Sequence, residues 1–235
     1  MPMKRVSVLV PIFNEKNTVI TIFEAIHVAP FPAGLDYEIV AVDDASTDGT
    51  TEILRNYSHP RVKVFFKEVN AGKGAALATA ISQASGDILI IQDADLEYDP
   101  QEYPTIFGPI LAGKADVVYG SRFLGSPSGH RVLFFWHSIG NQLLTLMSNM
   151  FTNLNLTDME TCYKAFTRKA IEGITIESKR FGVEPELTAK FSRKRCHIYE
   201  VPISYNGRDY DEGKKITWKD GVSALYAIIK FNLSP

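Results

Sequence analysis

The segment Asp87-Ile-Leu-Ile-Ile-Gln-Asp-Ala-Asp-Leu-Glu97 decides the fold. Asp87–Gln92 reads as a strand built on the apolar run Ile88–Ile91, and after that run the chain turns polar through Gln92, Asp93, Asp95 and Glu97. Carboxylates two residues apart at a strand end can turn toward one hard cation. Mg2+ and Mn2+ favour such oxygen ligands, usually completed by substrate phosphates. The same strand-then-polar pattern recurs upstream. Arg5–Pro11 is an apolar strand followed by Pro11–Glu15. Tyr37–Asp43 is a buried strand ending on Asp43-Asp44. Arg61–Lys67 is a strand, and Asn70–Lys73 follows it.

Helical spacing separates these strands, over Asn17–Val28, about Asp48–Tyr57 and Ala71–Ala84. Ser46 is placed to cap the second helix. Asp99-Pro100 opens a further helix, and Ala115–Gly120 reads as a fifth strand. Such alternation predicts a parallel α/β sheet with right-handed crossovers. Ligands of such sheets bind outside the carboxyl strand ends. Four polar clusters therefore share one edge.

The remaining sequence bounds the function class. The chain has 235 residues, 45% apolar and 22% charged, with 25 basic against 27 acidic side chains. This is the composition of a globular protein of one or two domains, and the charge balance excludes a dedicated nucleic-acid binder. Two cysteines, Cys162 and Cys196, make neither a disulfide framework nor a zinc site. The apolar start lacks a cleavage site and no window spans a bilayer, so a cytoplasmic compartment is expected.

The second half is less regular. Helices are expected over Arg131–Phe151, Val183–Ser192 and Lys219–Phe231, with strands at Cys162–Thr167 and His197–Val201. In the first of these helices, Val132, Phe135, Trp136, Ile139, Leu143, Leu146, Met147 and Met150 share one face. His137, Ser138, Asn141, Gln142, Thr145, Ser148 and Asn149 share the other. That pattern suits a core helix or one lying in a membrane interface. Lys190, Arg193, Lys194 and Arg195 make a basic cluster, either a solvated face or a match for anionic headgroups. Arg122 and Arg131 flank the loop Gly125–Gly129, and guanidinium groups suit phosphate.

Five motifs occur in order: Val10-Pro-Ile-Phe-Asn-Glu15, Val42-Asp-Asp44, Asn70–Ala75, Gln92-Asp-Ala-Asp95 and Gly120-Ser-Arg-Phe123. Further on come Asp158-Met-Glu-Thr-Cys-Tyr-Lys164, Phe181-Gly-Val-Glu-Pro-Glu186 and Val201–Lys215. With these motifs the chain resembles glycosyltransferase family 2, and within it the dolichol-phosphate mannosyltransferase and polyprenyl-phosphate glycosyltransferase group.

The resemblance implies a GT-A fold in one domain over 1–235, with a nucleotide-sugar half at 1–120 and an acceptor half at 121–235. It implies a GDP-mannose or UDP-glucose donor lying on Pro11, Asn14, Glu15, Asp43 and Asp44, with Lys73 less securely placed. Asp93, Asp95 and Glu97 would hold Mg2+ or Mn2+. The family often carries Gln where Glu97 stands, so a third carboxylate here bears on metal choice. Arg122 and Arg131 would bind the phosphate of a polyprenyl acceptor, and Arg208 the donor diphosphate. With Asp95, these arginines form the expected catalytic set. The expected reaction is inverting transfer of one hexose, at a membrane surface or beside a separate membrane protein. Processive synthases of the family resemble one another in a QxxRW sequence that is absent here. Two other readings are a hydroxyl acceptor, with Glu184 or Glu186 as base, and a non-catalytic nucleotide-sugar-binding protein.

Overall fold

The computed structural model describes residues 5–125, 132, 134–207 and 218–233. Seven strands form one sheet: β1 (Arg5–Ile12), β2 (Asp36–Asp43), β3 (Val62–Phe66), β4 (Ile88–Ile91), β5 (Val117–Ser121), β6 (Lys164–Thr167) and β7 (Ile198–Pro202). Their order across the sheet is β3-β2-β1-β4-β6-β5-β7. All pairings are parallel except those of β6, which runs antiparallel to both β4 and β5. The sheet is mostly parallel and flanked by helices, as expected of the fold, and a late antiparallel strand fills the space between β4 and β5.

Among the described residues, eight α-helices accompany the strands: α1 (Val19–His27), α2 (Thr50–Asn56), α3 (Lys73–Gln83), α4 (Tyr103–Leu111), α5 (Phe135–Thr152), α6 (Arg168–Ile171), α7 (Val183–Arg193) and α8 (Trp218–Leu233). The strands alternate their side chains between two cores, as a period of two requires. Val6, Val8, Val10, Ile39, Ala41, Ile88 and Ile90 face α1 and α4. Leu9, Val40, Val42, Leu89 and Ile91 face α3 and α7. The spacing of Val19, Ile22, Phe23 and Ile26 gives α1 a single apolar stripe, and all four are fully buried.

Ser46 does not cap α2. Gly49 occupies the cap position. The Ser46 hydroxyl instead accepts from the Asn14 amide and donates to Asp43, while Asp48 accepts the Thr50 amide. The short Asp-Gly turn starts the helix two residues later than expected because these side chains have partners across the loop.

The greatest departure from ordinary packing is α5. Its buried residues are Thr145, Ser148 and Thr152. Phe135, Trp136, Leu143, Leu146 and Met150 are exposed, Trp136 by 78% and Met150 by 75%. The polar face points inward, where Asn141, Thr145 and Asn149 find partners, although the Ser148 hydroxyl is buried without one. Asn141 donates to Asp158, Thr145 accepts the Met159 amide, and Asn149 makes paired bonds with the Leu156 backbone. Neighbouring α8 also exposes a stripe, Val222, Tyr226, Ile229 and Leu233. The core-helix reading of this segment is therefore replaced by a helix that turns its apolar face outward. Among the described residues, no helix is long and apolar enough to cross a membrane.

Candidate active site

Parallel register brings the ends of β1, β2 and β4 to one edge. Ile12 pairs with Asp43 and Leu9 with Ile91. Beyond these ends the polar clusters interlock. Pro11 is half-buried where β1 ends. Asn14 takes a left-handed conformation (φ 55°), which its short side chain tolerates, and its Oδ1 accepts the Thr47 amide. The Glu15 amide donates to Thr50, and the Glu15 carboxylate accepts from Thr18.

Asp43 is 1% exposed, and its carboxylate is held by Ser46 and Thr51. Asp44 is also buried. It accepts the amides of Ala71 and Gly72 and pairs with Lys67 at 3.4 Å. Both acids thereby organise the loops around them. Asp44 in particular draws the start of α3 toward the β2 end.

The glycines of the Asn70–Ala75 stretch serve close packing. A Cβ at Gly74 would stand 1.9 Å from the Ser178 carbonyl oxygen, and one at Gly72 2.3 Å from that of Lys179. Backbone therefore lies against backbone here, between the start of α3 and the segment leading into α7.

Lys73, the first residue of α3, lies inside the site. Its ammonium is 3.0 Å from Asp93 and 3.1 Å from Glu184, and it also touches the Cys162 sulfur. Burial by itself would lower its pKa, but Asp93, Cys162 and Glu184 beside it push it well above the ordinary lysine value. Cys162 shifts in the same direction. Burial, reinforced by Asp93, pushes its pKa well up and keeps it a thiol.

Asp95 accepts the Glu97 amide at 3.1 Å, and the Glu97 carboxylate accepts the Tyr205 hydroxyl at 2.6 Å. Asp93, Asp95 and Glu97 thus share one loop. Among the described residues, no three His, Cys, Asp or Glu side chains already form a metal cage. The donor chemistry nevertheless fits a hard divalent ion. Mg2+ is commonly held by one or two carboxylates together with substrate phosphates, so a complete protein cage is not required.

Beyond β5, the Arg122 guanidinium makes two bonds to Asp158, at 2.7 and 2.8 Å, the Arg122 amide adds a third, and the guanidinium lies 5.0 Å from the Tyr205 ring centre. Asp158 is fully buried. The Arg122 guanidinium beside it holds its carboxyl below the usual carboxylate range, although burial alone would raise it. Asn141 of α5 completes the grip on Asp158. Arg131 and Arg208 lie outside the described residues.

The two candidate bases are both engaged. Glu186 is fully buried and accepts the amides of Glu177 and Ser178 and the ammonium of Lys190. Glu184 is held by Lys73. Sequence reasoning missed Asp158, Tyr205 and the Lys73–Glu184 link. The partners lie far apart along the chain, and no local pattern announces them.

Comparison with known proteins gives this edge a family. The description "Glycosyl transferase family 2" matches residues 7–175. The chain belongs to that family, and its sheet is of the GT-A type. It is 27% identical over 217 residues to the undecaprenyl-phosphate 4-deoxy-4-formamido-L-arabinose transferase of Pseudomonas fluorescens, covering 91% of this chain and 61% of the relative. To the dolichol-phosphate mannosyltransferase of Pyrococcus furiosus it is 29% identical over 213 residues, covering 89% and 59%. The chain thus spans about six tenths of the length of these relatives. In fold it is similar to glucosyl-3-phosphoglycerate synthase of Mycobacterium tuberculosis, solved with Mn2+, UDP and phosphoglyceric acid. The TM-score is 0.73 at 21% identity, covering 99% of this chain and 80% of that one.

Proposed function

We propose that this chain transfers one hexose from a nucleotide sugar to a polyprenyl phosphate, with inversion at the anomeric carbon. The observation that carries the reading is the reversed packing of α5. A helix with its aromatic residues outward suits an acceptor that resides in a membrane. Through Asn141 and Asp158, the same helix steadies Arg122, the guanidinium assigned to the acceptor phosphate. The undecaprenyl-phosphate and dolichol-phosphate transferases named above support the same acceptor class.

In this reading the nucleotide lies over Pro11, Asn14, Glu15 and Asp44. Asp93, Asp95 and Glu97 would hold a divalent cation, which supplies charge neutralisation at the donor diphosphate. Arg208 would face the same diphosphate. Arg122 and Arg131 orient the acceptor phosphate behind the anomeric carbon. A phosphate oxygen bonds to that carbon as its bond to the diphosphate oxygen breaks, and the nucleoside diphosphate departs with the electron pair. The phosphate monoester is already ionised at neutral pH, its second pKa being about 6. No general base is needed, in keeping with the engagement of Glu184 and Glu186. The site would work at the cytoplasmic face of a membrane, as a peripheral protein or beside a membrane partner.

The test incubates the protein with Mg2+ or Mn2+, a short polyprenyl phosphate, and GDP-mannose or UDP-glucose in separate reactions. Mass spectrometry should detect a lipid one hexose heavier, lost in Asp95→Ala. Transfer to a sugar hydroxyl, with lipid phosphate inert, would overturn the reading.

A further inference from the structure

Lys73 stands between two carboxylates on different elements, and their surroundings differ. Asp93 lies on the loop after β4 with its side chain 17% exposed, at 3.0 Å; Glu184 lies in the first turn of α7 with its side chain 6% exposed, at 3.1 Å. The ammonium bonds both oxygens of Asp93 but only Oε1 of Glu184. Glu184 Oε2 is buried and has no hydrogen-bond partner. Leaving a buried carboxylate oxygen unpaired is costly, so such an atom needs an explanation in another state of the site.

We propose that Lys73 is a movable counter-ion. It neutralises Asp93 in the absence of a divalent cation and passes to Glu184 when a cation takes Asp93, with Glu184 Oε2 as the acceptor kept for it. The proposal rests on the assignment of the Asp93–Glu97 loop as the metal-binding loop.

The electrostatics follow from the distances. A lysine held 3.0 Å from Asp93 competes with any metal for the same oxygens and would repel that metal if it stayed. Glu184 offers the displaced ammonium a second partner with little movement, since it is already in contact. No covalent step and no proton transfer is involved. Glu184 is a positioning residue in this scheme. The backbone supports the exchange: the start of α3 lies directly against residues 178–180, which lead into α7.

The test measures Mn2+ uptake directly, by loss of the free-ion electron paramagnetic resonance signal, with excess UDP or GDP and no acceptor. Glu184→Gln keeps the shape but removes the charge. Lys73 then remains on Asp93, and Mn2+ affinity should fall about tenfold, the scale on which outer-sphere partners act. Adding Lys73→Met removes the competitor, so the double variant should regain wild-type affinity or exceed it. A role for Glu184 confined to folding predicts no such rescue. Unchanged Mn2+ affinity in Glu184→Gln, or a loss that Lys73→Met fails to restore, overturns the proposal while leaving the metal loop intact. If the wild-type protein takes up no Mn2+ with either nucleotide, the assignment of the metal loop falls and the proposal falls with it.

Discussion

Replacing Trp136 with Ala should leave the folded protein almost as stable as before and greatly weaken its hold on membranes. The indole is 78% exposed. Its neighbour Phe135 meets it edge-on, with ring centres 5.1 Å apart. Substitutions at exposed positions usually change stability by less than about 0.5 kcal/mol. In a bilayer interface the sum differs. A tryptophan side chain presents about 200–250 Å2, so on the order of 150–200 Å2 of this one lies in water. At about 25 cal/mol per Å2, full transfer is worth roughly 4–5 kcal/mol. If half of that surface sinks into the interface, the loss is about 2 kcal/mol, or roughly 30-fold in partition coefficient. Sedimentation with phosphatidylglycerol vesicles measures the partition, and thermal unfolding without vesicles measures stability. The inner face supplies the converse. Thr145→Val orphans the buried Met159 amide and should cost about 1–3 kcal/mol of stability without touching the exposed apolar face of the helix. If Trp136→Ala unfolded the protein, or Thr145→Val did not weaken it, the orientation of α5 would be refuted.

Three further outcomes follow from buried groups. Asp158→Asn keeps the side-chain shape but leaves the Arg122 charge uncompensated, so unfolding free energy should drop by about 3–5 kcal/mol in a denaturant titration. Phe23→Ala empties a fully buried site beneath α1 and should cost about 3–5 kcal/mol by the same assay. Glu38 is buried, which opposes its ionisation, yet Lys63, Ser85 and Ser7 hold its pKa down to about 2. A depressed carboxylate stabilises the fold above its unfolded pKa and loses that contribution as pH falls through the folded value. Thermal melts should therefore show the wild-type advantage over Glu38→Gln shrinking between about pH 4.5 and pH 2. An advantage that stayed constant over that window would rule out this role for Glu38.

The polar edge at the strand ends was readable in the sequence for a definite reason. Strand–helix alternation sets the strand direction, direction sets which ends gather, and polar clusters follow β1, β2, β3 and β4. Three things were hidden. Lys164–Thr167 is buried on both sides, so no alternation of side chains distinguishes an antiparallel strand from its parallel neighbours. In α5, periodicity separates two faces but does not say which turns inward. That depends on Asn141, Thr145 and Asn149 finding partners in the 156–159 segment. The links between Arg122 and Asp158, and between Lys73 and Glu184, join distant stretches of sequence, so only the finished fold brings them together.

The placement of β6 bears on how the protein is made. On a ribosome, β1 to β5 all emerge before residue 164, yet β4 and β5 share no edge until Lys164–Thr167 arrives between them. Until then two open flanks with buried-type residues, Ile88–Ile91 and Val117–Ser121, face water. Unpaired apolar edges of this kind invite association with other chains. A nascent chain stalled between residues 121 and 164 should be the species most dependent on chaperones. The polar edge beyond β1, β2 and β4, although written almost wholly in the first hundred residues, is joined to β5 and β7 only after the second half of the chain has supplied β6.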